Sequence, residues 1–177
     1  ALAITDFRSV NNLASGTINL GSTTTQGQLI IGTAASPGDA AALTSQRRIN
    51  LAGTTGNAVI YASQSGANPV VIPDIATTGN GAKALILGGT SALNNLISGT
   101  IANSPGVTSL QKTGPGTWVL SGANTFTGTA SILQGTLKLN ATAASSAVLN
   151  SGVGITFGAD TLVNSAGGSL VFTGFSG

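Results

Sequence analysis

The chain has 177 residues, 6% of them charged, with no Cys, His or Met, and its only carboxylates are four Asp. Thiolate and imidazole chemistry are thereby excluded, and with them Ser-His-Asp and Cys-His catalysis, disulfides and the usual zinc sites. The formal charge of +2 rests on six basic groups, which are too scattered for the basic patch with interleaved aromatics that nucleic acid demands.

The length is that of one domain, residues 1–177. The chain is 41% hydrophobic and carries 26 glycines. Its apolar residues fall in short runs, none near the roughly eighteen that a membrane span requires, so no transmembrane segment is expected. No basic start followed by an apolar stretch marks a signal peptide. Without Met, Ala1 is not an initiator, and the chain reads as a processed product or a part of something larger. Few charges of either sign leave little repulsion between copies, so self-association is easy.

In chain order, Ala1–Val10 alternates, with Leu2 and Ile4 on one face. It reads as a terminal strand that closes a first coil or adds to the edge of a neighbouring subunit. Thr17–Leu20 and Gln28–Ile31 are the next strands. Ser36-Pro37-Gly38-Asp39 then breaks the pattern. Ala40–Leu43 fits a single helical turn, with Ser36 as N-cap and Pro37 at its first position. Arg47–Leu51, Ala58–Tyr61 and Val70–Ile72 follow as strands, the last bracketed by Pro69 and Pro73. Thr77–Ala82 reads as a turn, and Leu85–Leu87 and Leu96–Ile101 as strands. Beyond residue 139, Ala141–Leu149 is an Ala/Ser-rich loop or helical turn. Ile155–Phe157, Thr161–Val163 and Ser169–Phe172 are strands, and Phe175 lies in a Gly-bounded tail.

Apolar pairs around Ile31, Leu51, Ile72, Leu87, Leu120, Leu139, Phe157 and Phe172 recur roughly every 15–21 residues, a spacing typical of stacked repeats. They are expected to share one inward stripe. Coils of about twenty residues would give about eight of them, and at about 4.8 Å per strand a rod near 40 Å long. Asn and Thr at the turns are expected to form hydrogen-bonded ladders. The competing all-β reading is a β-sandwich, which wants longer alternating strands joined by hairpins.

Residues 109–139 are the most patterned stretch. Lys112-Thr113-Gly114-Pro115-Gly116 makes a turn, Thr117-Trp118-Val119-Leu120 a strand, and Ser121-Gly122-Ala123-Asn124 another turn. Ala130–Leu133 and Thr136–Leu139 flank Gln134-Gly135. Trp118 and Leu120 share a face, as do Leu137 and Leu139, and Phe126 reads as an aromatic stacked inside the turn. Such short strands need copies of themselves to stack on. The run Leu110, Lys112-Thr113-Gly114, Gly116-Thr117, Leu120 through Gly128 and Gly135-Thr136-Leu137 closely resembles the autotransporter-associated β-strand repeat, also called the passenger-associated transport repeat. That resemblance implies a secreted, right-handed parallel β-helix (β-solenoid) of the bacterial cell surface. Pro115 and Trp118 depart mildly from the family pattern.

Other motifs carry less. Asp6, Asp39, Asp74 and Asp160 are the carboxylates available to a glycosidase pair, but Asp in turns is common. Gly79, Gly81 and Ala84 fit GxGxxA, yet a strand follows where a dinucleotide site needs a helix. The Asp-rich calcium nonapeptide is missing, Asn140-Ala141-Thr142 is a sequon by pattern alone, and no cofactor is expected. Trp118, Tyr61 and Phe126 are aromatics available to a sugar platform, although periodicity puts Trp118 in the core.

The first functional expectation is a non-enzymatic extracellular protein: a rod, spacer or fibre subunit that stacks end to end as a homo-oligomer or filament through Leu2, Ile4, Phe172 and Phe175. The second is an adhesin-like module that binds polysaccharide or a host surface along one flank. The third is a polysaccharide-cleaving β-helix enzyme.

Overall fold

The computed structural model describes residues 2–4, 16–32, 43–44, 48–65, 67–141, 148–158 and 168–173. Sixteen short strands lie within them: β1 (Leu2–Ile4), β2 (Ile18–Leu20), β3 (Gly27–Ile31), β4 (Leu43–Thr44), β5 (Ile49–Leu51), β6 (Ala58–Ala62), β7 (Val70–Ile72), β8 (Ile75–Thr77), β9 (Lys83–Gly88), β10 (Asn95–Ile97), β11 (Thr108–Lys112), β12 (Thr117–Leu120), β13 (Ala130–Ile132), β14 (Gly135–Asn140), β15 (Ile155–Phe157) and β16 (Gly168–Thr173). No helix occurs among the described residues.

The strands form three sheets. One has seven strands in the order β1-β3-β6-β9-β11-β13-β15, one has six in the order β16-β14-β12-β10-β7-β4, and one has three in the order β2-β5-β8. From β3 onward the chain visits the seven-stranded sheet, then the six-stranded, then the three-stranded, and returns one rung further along. Every described pairing is parallel, as in Leu29 opposite Ile60 and Leu85 opposite Leu110. A sandwich of antiparallel hairpins is therefore not what forms, because a tight turn joins only antiparallel neighbours. The all-β, parallel architecture is consistent with a β-helix.

After β8 the third side carries no further strand among the described residues, but it stays linked from rung to rung. The amides of Thr125 and Phe126 donate to the Ile101 carbonyl at 2.9 and 3.2 Å. Asn124 Oδ1 accepts from the Ile101 amide at 2.8 Å, and Asn124 Nδ2 donates to the Val148 carbonyl at 2.7 Å. A buried Asn amide thus replaces the strand ladder, satisfying backbone groups that would otherwise be stranded in the core.

The interior is built of columns, because in-register parallel strands put equivalent side chains above one another. One column runs Leu29, Ile60, Leu87, Lys112, Ile132 and Phe157 along the seven-stranded sheet. Another runs Ala58, Leu85, Leu110, Ala130 and Ile155. Across from them, Ile72, Ile97, Leu120 and Leu139 stack in the six-stranded sheet. All are buried except Phe157 and Ile155, which end the first two columns. The expected single stripe is thus divided among three sheets: Ile31 and Leu87 lie in the first, Ile72, Leu120 and Leu139 in the second, and Leu51 in the third. Phe157 departs from expectation. Its column points inward, yet it is 55% exposed, because β15 is the edge strand.

The corner between the first two sheets is fixed by glycines. Gly89, Gly114 and Gly135 have φ of 106°, 65° and 72° and sit at successive rungs. A Cβ on Gly135 would lie 2.6 Å from the Gly116 carbonyl and 2.7 Å from Lys112 Nζ, and closer still to the Gly114 carbonyl. Gly135→Ala combines this clash with a left-handed backbone, and we expect a loss of about 1–3 kcal/mol, read as a lower urea midpoint.

Leu43, expected in a helical turn, belongs to β4, while Ala40–Ala42 lie outside the described residues. The strand expected at Thr161–Val163 lies outside them as well. Residues Ile75–Thr77, bordering what read as a turn, form β8. The Asn–Thr ladder is present: Asn50 Nδ2 donates to Asn19 Oδ1 and to Thr78 Oγ1, both at 2.9 Å.

Candidate functional site

The repeat occupies β11 to β14 and turns one set of its side chains inward. Trp118, Leu120 and Phe126 are fully buried, and Leu137 and Leu139 nearly so. Trp118 is held between Asn95 and Leu137 in register, and its Nε1 donates to the Gly88 carbonyl at 2.9 Å. All four residues of β12 are buried, Val119 on the outer face included. These five residues lie in the buried interior. A sugar platform of Trp118, Tyr61 and Phe126 does not exist, since two of the three rings are inside. Tyr61 is half-buried on the outer face of the seven-stranded sheet, where its ring covers the bare backbone of Gly88.

The structure also reveals polar residues to which the sequence assigned no role. Lys112 stands in an otherwise apolar column between Leu87 and Ile132 and is fully buried. Its ammonium donates to the carbonyls of Thr113 (2.8 Å), Gly114 (2.7 Å) and Gln134 (3.0 Å), which ties one corner turn to the next. Burial lowers its pKa from 10.5 to about 8. Lys83, also buried, donates to the carbonyls of Gly79 and Gly81 and to Ser104 Oγ, and burial lowers its pKa as well. Both stems pack in the core while the nitrogens cap carbonyl-rich turns. The signal was in the sequence: each Lys is followed or preceded by a Gly-rich turn, whose converging carbonyls invite a cation.

Asn95, completely buried, bonds in several directions. Its Oδ1 accepts from the Val70 amide (3.1 Å) and Gln64 Nε2 (2.6 Å), and its Nδ2 donates to the carbonyls of Leu93 (3.1 Å) and Thr117 (2.9 Å). Three rungs of the six-stranded sheet are stitched through one amide.

The four residues expected at the ends are placed as follows. Leu2 and Ile4 lie in β1, an edge of the seven-stranded sheet, and Phe172 lies in β16, an edge of the six-stranded sheet. Phe175 lies outside the described residues. Asp74 pairs with Arg48 at 2.7 Å on the surface, a contact worth about 0–1 kcal/mol. Asp6, Asp39 and Asp160 lie outside the described residues. Among the described residues no group of three or more His, Cys, Asp and Glu side chains is placed to hold a metal, and no helix is long and apolar enough to cross a membrane.

One concave feature lies on the outer face of the six-stranded sheet. It is a groove of about 270 Å³ lined by Asn94, Leu96, Val119, Lys138 and Asn140. Leu96, Val119 and Lys138 are consecutive in one outward column. The Lys138 ammonium reaches across it to donate to Asn94 Oδ1 at 2.8 Å.

Comparison with known proteins adds two similarities. The passenger-associated-transport-repeat family matches residues 110–139. Over 91 residues, 49% of this chain, the sequence is 36% identical to an adhesin, the BmaC autotransporter of Brucella suis biovar 1 (strain 1330). The match spans 3% of that much longer protein. No solved structure matches the chain. The buried Trp118, Phe126 and Lys112 and the corner glycines Gly114 and Gly135 all lie in the stretch, residues 110–139, that matches the passenger-associated-transport-repeat family.

Proposed function

We propose that the chain is a passenger-like module of the bacterial cell surface or extracellular space, without enzymatic activity, and that its three sheets wind as a right-handed parallel β-helix. The hand follows from the strong preference of parallel crossovers. The observation that carries the reading is the repeat itself, whose strands stack on one another as two successive rungs of a continuous parallel ladder, beside the similarity of about half the chain to an autotransporter adhesin. As a rod, the seven-stranded sheet extends roughly 30 Å from first strand to last.

Within that reading the module is a structural spacer or fibre subunit that stacks end to end. The strand at one edge, β15, exposes Ile155 (38%) and Phe157 (55%) from columns that elsewhere face the core. At the other edge β1 sets Leu2 opposite Leu29, the register position that begins the series Phe157 ends. A second copy set head to tail would continue it, and such a contact grows a filament instead of closing. Electron microscopy over a concentration series is the test. Filaments with an axial repeat near the rod length are the expected outcome, and dispersed single rods at the highest concentration would refute stacking.

A second reading, binding along one flank, is favoured by the outer groove and by the adhesin similarity. It makes the side of the rod, not its ends, the working surface.

A further inference from the structure

We propose that the groove over β10, β12 and β14 is a binding site for the carboxylate of an acidic sugar, such as a uronate unit of a polysaccharide. Its floor is Leu96 and Val119, two apolar side chains on neighbouring rungs. Lys138, next in the same column, reaches across to the Asn94 amide, and Asn140 also lines the groove. Apolar floor, amide rim and a single cation match the chemistry of one sugar ring: C–H faces below, hydroxyls at the rim, carboxylate on the ammonium.

Charge selects the occupant. Among the described residues, Asp74 is the carboxylate, and Arg48 holds it at 2.7 Å. Lys83 and Lys112 are buried in turns. Lys138 is therefore the cation on this face that meets no described acid. Its hydrogen bond to Asn94 Oδ1, at 2.8 Å, uses a single donor of three. The remaining donors are available to an anion, and the anchored stem fixes where they point. The volume of about 270 Å³ lies just below the span of drug-sized ligand pockets, about 300–1,000 Å³. It fits a monosaccharide unit of a longer chain that continues along the rod.

The inference rests on the flank-binding reading, which gives this face access to surface polysaccharide. It does not depend on end-to-end stacking. Electron microscopy reports on the ends, while binding to the dispersed protein reports on the groove, so the two can fail separately.

The test is a titration of isotopically labelled protein with galacturonate oligosaccharides, followed by amide chemical shifts. Shifts centred on Leu96, Val119 and Lys138 are expected, with weak affinity that falls as salt rises. Lys138→Gln should weaken binding about tenfold, the equivalent of one charge-assisted hydrogen bond, and Lys138→Arg should restore most of it. Three results would overturn the proposal: no shifts in the groove, equal binding of neutral galactose oligosaccharides, or unchanged binding by Lys138→Gln. Stronger binding of an acidic peptide than of the uronate would also overturn it, by assigning the groove to protein.

Discussion

Trp118→Ala should be the most damaging single truncation in the repeat, with a loss of about 3–5 kcal/mol. The side chain is fully buried, and nothing around it is free to collapse into the space, since Asn95 and Leu137 are fixed above and below by the strand ladder. The Gly88 carbonyl would also lose its indole donor, which sits at 2.9 Å. Trp118→Phe keeps most of the volume but orphans the same carbonyl, so about 1–3 kcal/mol is expected there. The ladder sums nearest-neighbour contacts, so a weak rung in its middle lets the two halves melt apart. Urea unfolding followed by far-ultraviolet circular dichroism should show a lower midpoint and a shallower transition. An unchanged midpoint would mean that Trp118 does not couple its neighbours.

Lys112 offers the second large effect, with an unusual pH signature. Lys112→Met keeps the buried stem and removes the ammonium, leaving the carbonyls of Thr113, Gly114 and Gln134 without that donor. A loss of about 1–3 kcal/mol at neutral pH is expected. The folded pKa of about 8 lies below the ordinary 10.5. Below pH 8 both folded and unfolded chains hold the proton, and this group contributes no pH dependence. Between about 8 and 10.5 the unfolded chain still holds a proton that the folded one has released. Stability therefore rises with pH across that window. The neutral amine keeps two N–H donors, enough for two of the three carbonyls. Denaturation midpoints from pH 7 to 11 should climb for the wild type. The Met variant should lose the share of the climb due to Lys112. A parallel climb in both proteins would place the titration elsewhere.

The strands of this fold were largely legible, because alternation survives wherever one face is buried. Gln28–Ile31, Ala58–Tyr61, Val70–Ile72 and Thr117–Leu120 all read as strands and all are. The burial of Trp118 and Leu120 followed from period two alone. What did not follow was the third side. Pro73-Asp74 looks like the end of a strand, and Ile75–Thr77 is only three residues long, so β8 is specified by Ile49 opposite Ile75 and not by local pattern. The buried lysines escaped for a related reason. Charge marks a residue as surface until the carbonyls that receive it are known, and those of Lys112 come from two successive turns. The groove was equally hidden, since Lys138 and Asn94 meet across an interval of 44 residues.

The stacked glycines at one corner bear on how such a chain can change length. Gly89, Gly114 and Gly135 keep one vertex of each rung at a fixed phase, since no other residue fits there without strain. The chain between vertices differs from rung to rung, yet Lys112 still meets Ile132 and Leu120 still meets Leu139. Insertions that enter away from that vertex are absorbed as outward loops before the next glycine resets the winding. Variation is thereby steered to the flanks, where new surface can arise without drift in the core.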